Sequence, residues 1–274
     1  MLSGFHSVGL CQHPILTVIN KVAATGYKAI ELNAEKLPWA EPHVTPQTPG
    51  SERKAIVTGT KQAGLAISAI SAHVPMVDTE AQSRRNAVTF VNGCIELARD
   101  VEAPVVHILS GQRPDNVSRN QAWGWFAEAV AATTQRAEQL GISLAIEAIA
   151  GHLFHSVDDY GRLISDLPSV PFKINFDPSQ LVVQGEDPLR VVEKHGASIV
   201  HVHMKDGDGL FPDFTFPPLG MGKINFDKLV SGLARIGYQG TCSVEYEAQV
   251  FGYQESEQEI LDHGRRFLYQ HGVS

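Results

Sequence analysis

The chain has 274 residues, 43% hydrophobic and 19% charged, a globular composition that excludes a disordered or fibrous protein. A chain of this length buries about three quarters of its unfolded surface without staples, and α/β barrels use about 250 residues as one unit, so one domain over 1–274 is expected. A net charge of −8, from 22 Lys and Arg against 30 Asp and Glu, argues against a nucleic-acid partner that needs a broad basic face.

In chain order, short apolar runs alternate with longer helix-like segments. Strands are expected at Gly4–Gly9, Ala29–Asn33, Ile67–His73, Val105–Ser110, Ser143–Ala148, Phe172–Asp177, Ile199–Lys205 and Thr241–Glu245. Helices are expected at Ile15–Thr25, Ser51–Ala63, Ser83–Val101, Ala122–Leu140, Val157–Ser165, Pro188–His195, Asp227–Ile236 and Glu255–Gln270. Several helices run into a glycine just before the next strand, as at Ala63-Gly64-Leu65 and Leu140-Gly141-Ile142, which marks a helix stop. Units of about 34 residues suit an α/β fold of the single (β/α)8 TIM barrel type. A doubly wound open sheet is the rival, but the first strand lacks the glycine-rich phosphate loop that such sheets carry.

Cys11, Cys94 and Cys242 are far apart and form no CxxC pair, a pattern of a reducing compartment. The N-terminal residues lack the basic and apolar regions of a leader, and no window reaches the ~20 apolar residues of a membrane span. A cytoplasmic protein with no membrane contact is the expectation.

In a barrel, chemistry collects at the C-terminal strand ends, and those positions hold Glu31, His73, His107, Glu147, Asp177, His203 and Glu245. The last four come from four consecutive strands and would give three carboxylates and an imidazole at one point. That mainly oxygen donor set suits a divalent cation, with Mn, Mg or Co favoured and Zn possible. One such carboxylate alone is as readily a strand-end cap or a lysine partner; three with a histidine, on four separate units, are not.

The runs Ala145-Ile-Glu147, Asn175-Phe-Asp-Pro-Ser-Gln180, His201-Val-His-Met-Lys-Asp206 and Ser243-Val-Glu245 resemble the xylose isomerase-like superfamily of sugar phosphate isomerases and epimerases. Ile30-Glu-Leu32 and Ser71-Ala-His73 resemble its second and third strand ends, so the likeness covers nearly the whole chain. The resemblance implies one metal held by Glu147, Asp177, His203 and Glu245, with Glu147 and Glu245 also exchanging protons with a keto-sugar from opposite faces. A cation chelated by the substrate's oxygens would stabilise the enediolate formed on removal of a proton α to the carbonyl. The expected function is therefore a metal-dependent sugar isomerase or epimerase. The alternatives are a lyase on the same chemistry, dehydrating a keto-inositol or eliminating from a 3-keto-glycoside, and a non-catalytic sugar-binding subunit. The superfamily's abasic-site endonucleases share His73 and His107, but Gln180 replaces one of their zinc-binding histidines and Pro212-Asp-Phe-Thr215 lacks another.

Gln180 can hydrogen-bond a sugar hydroxyl but cannot shuttle a proton. His73, His107 and Glu31 are expected either to contact substrate or to bond neighbouring carboxylates. Lys205 alternates with His203 on one face and is expected to orient a substrate oxygen or to neutralise Asp177. His152 and His155 lie on the loop after strand five, within reach of substrate, and Glu247 alternates with Glu245. The loop Gly207–Lys223, with Phe211, Phe214 and Phe216, could form an aromatic lid or cover a partner subunit. Trp123 and Trp125 read as outer packing or an oligomer surface, and only Arg113 and Arg119 could mark a phosphate site. The expected partners are a small-molecule sugar or keto-glycoside and either a second copy of the chain, as a homo-oligomer, or a second subunit.

Overall fold

The elements follow in the order β1 (Leu2–His6), α1 (Ile15–Ala24), β2 (Ala29–Asn33), α2 (Gly50–Ala63), β3 (Ala66–Ser71), α3 (Ala81–Val101) and β4 (Val105–Ile108). Next come α4 (Arg119–Gln139), β5 (Ser143–Ile146), α5 (Val157–Asp166), β6 (Lys173–Phe176), α6 (Pro178–Val182), α7 (Leu189–His195) and β7 (Ile199–Met204). The chain finishes with β8 (Asp208–Leu210), β9 (Asp213–Thr215), α8 (Phe226–Arg235), β10 (Thr241–Val244), α9 (Ala248–Phe251) and α10 (Glu257–Gln270). This computed structural model describes residues 1–274, the side chains of residues 248 and 249 excepted. Eight strands close a parallel barrel in the order β1-β10-β7-β6-β5-β4-β3-β2. The ring is sealed where Leu2 pairs with Thr241 and Phe5 with Val244. The protein is thus a single (β/α)8 barrel, as the alternation of elements implies.

Parallel strands covered by helices are buried on both faces, and β2, written Ala-Ile-Glu-Leu-Asn, is buried at every position. The main apolar core lies between the strands and the helices, with Ile30, Leu32, Val106, Ile146 and Val202 facing Ile19, Ile95, Val130 and Leu233. A separate, smaller cluster of Ala69, Val105 and Ala145 fills the barrel interior. These side chains are short, so the space towards the mouth is left to polar groups. Gly64 stops α2 in the left-handed conformation at φ 70°, where a Cβ would be strained. Glu102 ends α3 at φ 64° without that freedom.

Three features differ from the pattern read in the sequence. The first strand ends at His6, and Ser7–Leu10 form a 3-10 turn in place of an extended strand to Gly9. The Ser7 hydroxyl accepts the Asn33 N–H at 2.8 Å, so a side chain takes the ladder position and the backbone turns away. The loop Gly207–Lys223 contains the antiparallel hairpin β8–β9, with Gly209 opposite Phe214. The short helix α6 follows β6 directly, started by Pro178 and capped by Asp177. Trp123 is buried, stacked on Phe154 with its indole N–H donated to Asp166, in agreement with an outer packing role. The three cysteines are unpaired, and among the described residues no helix is long and apolar enough to cross a membrane.

The hairpin loop is tied down by one carboxylate. Asp206 is 1% exposed and accepts the backbone N–H groups of Gly207 (2.9 Å), Gly220 (2.9 Å), Gly222 (2.8 Å) and Ile224 (3.2 Å). A Cβ on Gly222 would lie 2.3 Å from the Asp206 Oδ1, so glycine is what lets the backbone come this close. Asp206→Ala strands four buried or half-buried donors, and charge-assisted hydrogen bonds are worth about 1.5–3 kcal/mol each before relaxation. The variant is expected to lose about 3 kcal/mol or more in urea unfolding. It should also speed hydrogen exchange at Gly220 and Gly222 above that of the barrel strands.

Candidate metal centre

The mouth of the barrel gathers side chains from every strand of the ring. Glu147, Asp177, His203 and Glu245 follow or end β5, β6, β7 and β10, and each offers a donor atom within 4.8 Å of those of the other three. All four are buried. The His203 Nδ1 lies 3.5 Å from the Glu147 Oε2 and 3.4 Å from the Glu245 Oε2. Neither the His203 Nδ1 nor the Asp177 Oδ2 has a hydrogen-bond partner, although both are buried. Two unpartnered polar atoms aimed into one cluster are costly unless something binds them.

The electrostatics point the same way. Burial, with the charges of Glu147 and Glu245, raises the Asp177 pKa to about 7 against the pull of Lys205. Despite burial, His203 holds Glu147 below the usual carboxylate range, and Lys205 with His203 does the same for Glu245. The cluster therefore carries more negative charge than its own cations neutralise, and its donors fit a divalent ion. Two other sets also have donors within 4.8 Å of one another: His73, His107 and Glu147, and Glu31, His201 and His203. Their ring nitrogens are engaged with protein. The His73 Nε2 and His107 Nδ1 are 2.8 Å apart, and the two nitrogens of His201 face the Asn175 Oδ1 at 3.1 Å and the Ser68 Oγ at 3.3 Å.

The remaining expected residues divide between the pocket and the layer beneath it. His73 and His152 line a cavity of about 350 Å³ beside the cluster, with Glu35, Val74, Pro75, Leu109, Gly111 and Gln112. Burial lowers the His152 pKa to about 4, which leaves a neutral imidazole. Glu31 and His107 do not reach this cavity. Both are fully buried below the mouth, and the His107 Nε2 donates to the Glu31 Oε1 at 2.6 Å. Lys205 donates to Glu245 at 2.8 Å and Glu247 at 2.6 Å, so its direct partners are these glutamates and not Asp177. The Gln180 Oε1 accepts the Ala150 N–H at 3.1 Å, which commits its carbonyl to holding the loop after β5. The Arg113 guanidinium bonds the Val117 carbonyl and that of Arg119 pairs with Asp159.

Four further residues complete the site. His6 stands at the end of β1, with its Nδ1 3.3 Å from the Glu245 Oε1. The shorter first strand moves this histidine to the mouth layer, where the longer strand read in the sequence had placed it midway. Asn175 donates to the Glu147 Oε2 at 2.7 Å. His201 alternates with His203, as Asn175 does with Asp177, so period two was the signal for both. Glu35, on the loop after β2, lies 3.3 Å from the His73 Nδ1 and had no signal in the sequence.

A (β/α)8 barrel with an acidic, histidine-containing cluster at the strand ends defines the class. Residues 19–271 match the xylose isomerase-like TIM barrel, and the chain belongs to that family. It is similar to fructoselysine 3-epimerase of Escherichia coli O157:H7, 25% identical over 165 residues that cover 59% of each chain. It is also similar to inosose dehydratase of Bacillus thuringiensis, 27% identical over 148 residues, 48% of this chain and 49% of the relative. The chain thus matches about half to three fifths of the length of these relatives. Among solved structures, the IolI protein with a binding zinc atom superposes with a TM-score of 0.82 at 14% identity, covering 99% of this chain and 98% of the other.

Burial alone would lower the His73 pKa, but the hydrogen bond and charge of Glu35, with the charges of Glu147 and Glu245, prevail and raise it to about 9. Because the folded value lies above the ordinary 6.5, this protonation stabilises the fold fully below about 6.5 and is lost as pH rises through about 9. In metal-stripped protein, NMR should show His73 titrating near 9 and unfolding free energy falling across that window. Glu35→Gln should move the midpoint down and flatten the pH dependence; an unchanged midpoint would show that Glu35 does not hold the proton.

Proposed function

We propose that the chain is a divalent-metal-dependent sugar isomerase or epimerase that transfers a proton α to the carbonyl of a keto-sugar. The observation that carries this reading is the convergence of Glu147, Asp177, His203 and Glu245, with the His203 Nδ1 and Asp177 Oδ2 left without hydrogen bonds. These four residues would hold the ion; the oxygen-rich set suits Mn, Mg or Co, with Zn the further candidate. When bound there, the cation polarises the carbonyl and stabilises negative charge as it develops on oxygen.

Glu147 and Glu245 act as the proton-transfer pair. Their strands, β5 and β10, are separated in the ring by β6 and β7, so the two carboxylates flank Asp177 and His203 from either side. That placement supports removal of a proton from one face of the substrate and delivery to the other. Asn175 fixes the Glu147 carboxylate through Oε2, and Lys205 fixes that of Glu245 through Oε2. His203 beside Glu147, and Lys205 with His203 beside Glu245, favour the ionised form that a general base needs. His73 and His152, on the cavity wall, are placed to meet substrate hydroxyls.

A lyase is the second reading, favoured by the aromatic rim beside the same carboxylates. Lys205 lies 4.3 Å from the centre of the Phe216 ring, and Phe214 and Phe251 pack on Phe216 with centroids 5.1 and 5.6 Å away. Apolar surface so close to Glu245 suits a substrate with an apolar leaving group, and the similarity to an inosose dehydratase adds weight. Elimination yields an unsaturated ketone absorbing in the near ultraviolet or a free aglycone; epimerisation yields neither. A screen of ketoses, keto-inositols and 3-keto-glycosides with Mn distinguishes the two.

Chelation should abolish turnover and leave the circular dichroism of the barrel intact, because the core between strands and helices does not depend on the mouth. Glu147→Gln and Glu245→Gln, at confirmed metal occupancy, should each lower turnover by roughly 10²–10⁴-fold. Deuterium incorporation from D₂O should survive in one variant when substrate is the starting material and in the other when product is. An active metal-free enzyme, or normal exchange in both variants, would refute the assignment.

A further inference from the structure

Glu31 is a fully buried carboxylate whose neighbours are imidazoles. Its Oε1 lies 2.6 Å from the His107 Nε2 and 3.1 Å from the His203 Nε2. The His6 Nε2 is 3.6 Å from the Oε1, and the His201 Nε2 is 3.6 Å from the Oε2. Among the described residues no lysine or arginine pairs with it. A carboxylate taken out of water is retained only where its hydrogen bonds have a purpose in the fold or the site.

We propose that Glu31 is a positioning residue: it receives the His203 Nε2–H, and so fixes the ring orientation and the tautomer that presents Nδ1 to the cation. The inference rests on the reading of Glu147, Asp177, His203 and Glu245 as a cation site. An imidazole has one lone pair to offer when its other nitrogen carries a proton, and the partner of that proton decides which nitrogen is free. The His203 Nε2 lies 3.1 Å from the Glu31 Oε1 and 3.4 Å from the Asn175 Nδ2, and Asn175 donates at the shorter distance of 2.7 Å to the Glu147 Oε2. The Nε2 faces the Glu31 oxygen, whereas the unpartnered Nδ1 faces Glu147 and Glu245.

Glu31 is itself held from the mouth. The His73 Nε2–H donates to the His107 Nδ1 at 2.8 Å, which leaves the His107 proton on Nε2 for Glu31. The His73 Nδ1 faces Glu35 at 3.3 Å. One chain of contacts, Glu35–His73–His107–Glu31–His203, therefore runs from the cavity wall under the cluster and returns to it from below. The other two histidines stand beside the carboxylate without bonding it: His6 is bonded to the Ser71 hydroxyl at 3.1 Å and His201 to Asn175 at 3.1 Å, and the Glu31 Oε2 has no hydrogen-bond partner. The rival is a second cation on Glu31, His201 and His203. It would displace the hydrogen bonds that His201 already makes at both nitrogens.

The test uses the full chain, stripped of metal and titrated with Co(II) against a competing chelator. Glu31→Gln is expected to weaken Co(II) binding by about 10–100-fold while one equivalent still binds at saturation. In the cobalt-loaded wild type, NMR should show a hyperfine-shifted, exchangeable imidazole N–H that is protected from D₂O; in Glu31→Gln that resonance should shift or exchange quickly. This wild-type signal decides the matter even if the variant folds poorly. Equal affinity in Glu31→Gln with an unchanged N–H resonance, or a wild type without a protected N–H, would overturn the role of Glu31 and leave the cation site standing. Two equivalents of cobalt in the wild type and one in Glu31→Gln would overturn it in favour of an inner cation. A wild type that binds no cobalt would overturn both readings.

Discussion

The structure depends on one electrostatic constraint: four carboxylates, from Glu31, Glu147, Asp177 and Glu245, are buried together inside the upper part of the barrel. Lys205 is the one fully buried ammonium beside them, and it is shared between Glu245 and Glu247. Asn175 donates to Glu147 and Ser179 to Asp177, and histidines from β1, β4 and β7 surround the remaining carboxylate oxygens. Burial, with the charges of the neighbouring histidines, lowers the His107 pKa to about 4 and that of His201 to about 3 in spite of Glu31, so these two rings act as neutral donors or acceptors. His73 and His203 are held protonated by the carboxylates around them when no metal is bound. A divalent cation would satisfy Glu147, Asp177 and Glu245 with one centre of charge, as their convergence with His203 allows.

The mouth is built on this layer by backbone contacts. Asp206, next to Lys205, gathers the amides of the hairpin loop, and the Phe211 N–H donates to the Val183 carbonyl beyond α6. The Phe211 ring rests over Gly151, where a Cβ would come within 2.7 Å of it, and so covers the loop that carries His152. β7 and the two residues that follow it therefore supply a proposed ligand (His203), the lysine bonded to a proposed base (Lys205) and the anchor of the aromatic rim (Asp206). The contacts that hold the rim and those that hold Glu245 thus start from adjacent residues, Asp206 and Lys205.

The sequence by itself determined the barrel. Buried parallel strands must be apolar runs, and their connecting helices stop at glycines, so Ala29–Asn33 coincides with β2 and the end of α2 at Gly64 was readable. It also determined which polar residues share the mouth, because alternation along a strand fixes the face on which His203, Lys205 and Glu245 lie. Depth was what the tertiary structure decided. Glu31 and His107 read as strand-end residues like Glu147, yet they lie beneath the cavity wall, because β2 runs on to Asn33 and β4 to Ile108 whereas Glu147 follows the end of β5 at Ile146. His6 and Glu35 came into view only in three dimensions. The position of His6 depends on where Ser7 breaks the first strand, and Glu35 meets His73 only through the path of a loop. Local patterns fix periodicity and direction, since both are backbone properties; which nitrogen of His203 faces which carboxylate is set by residues far apart in the chain.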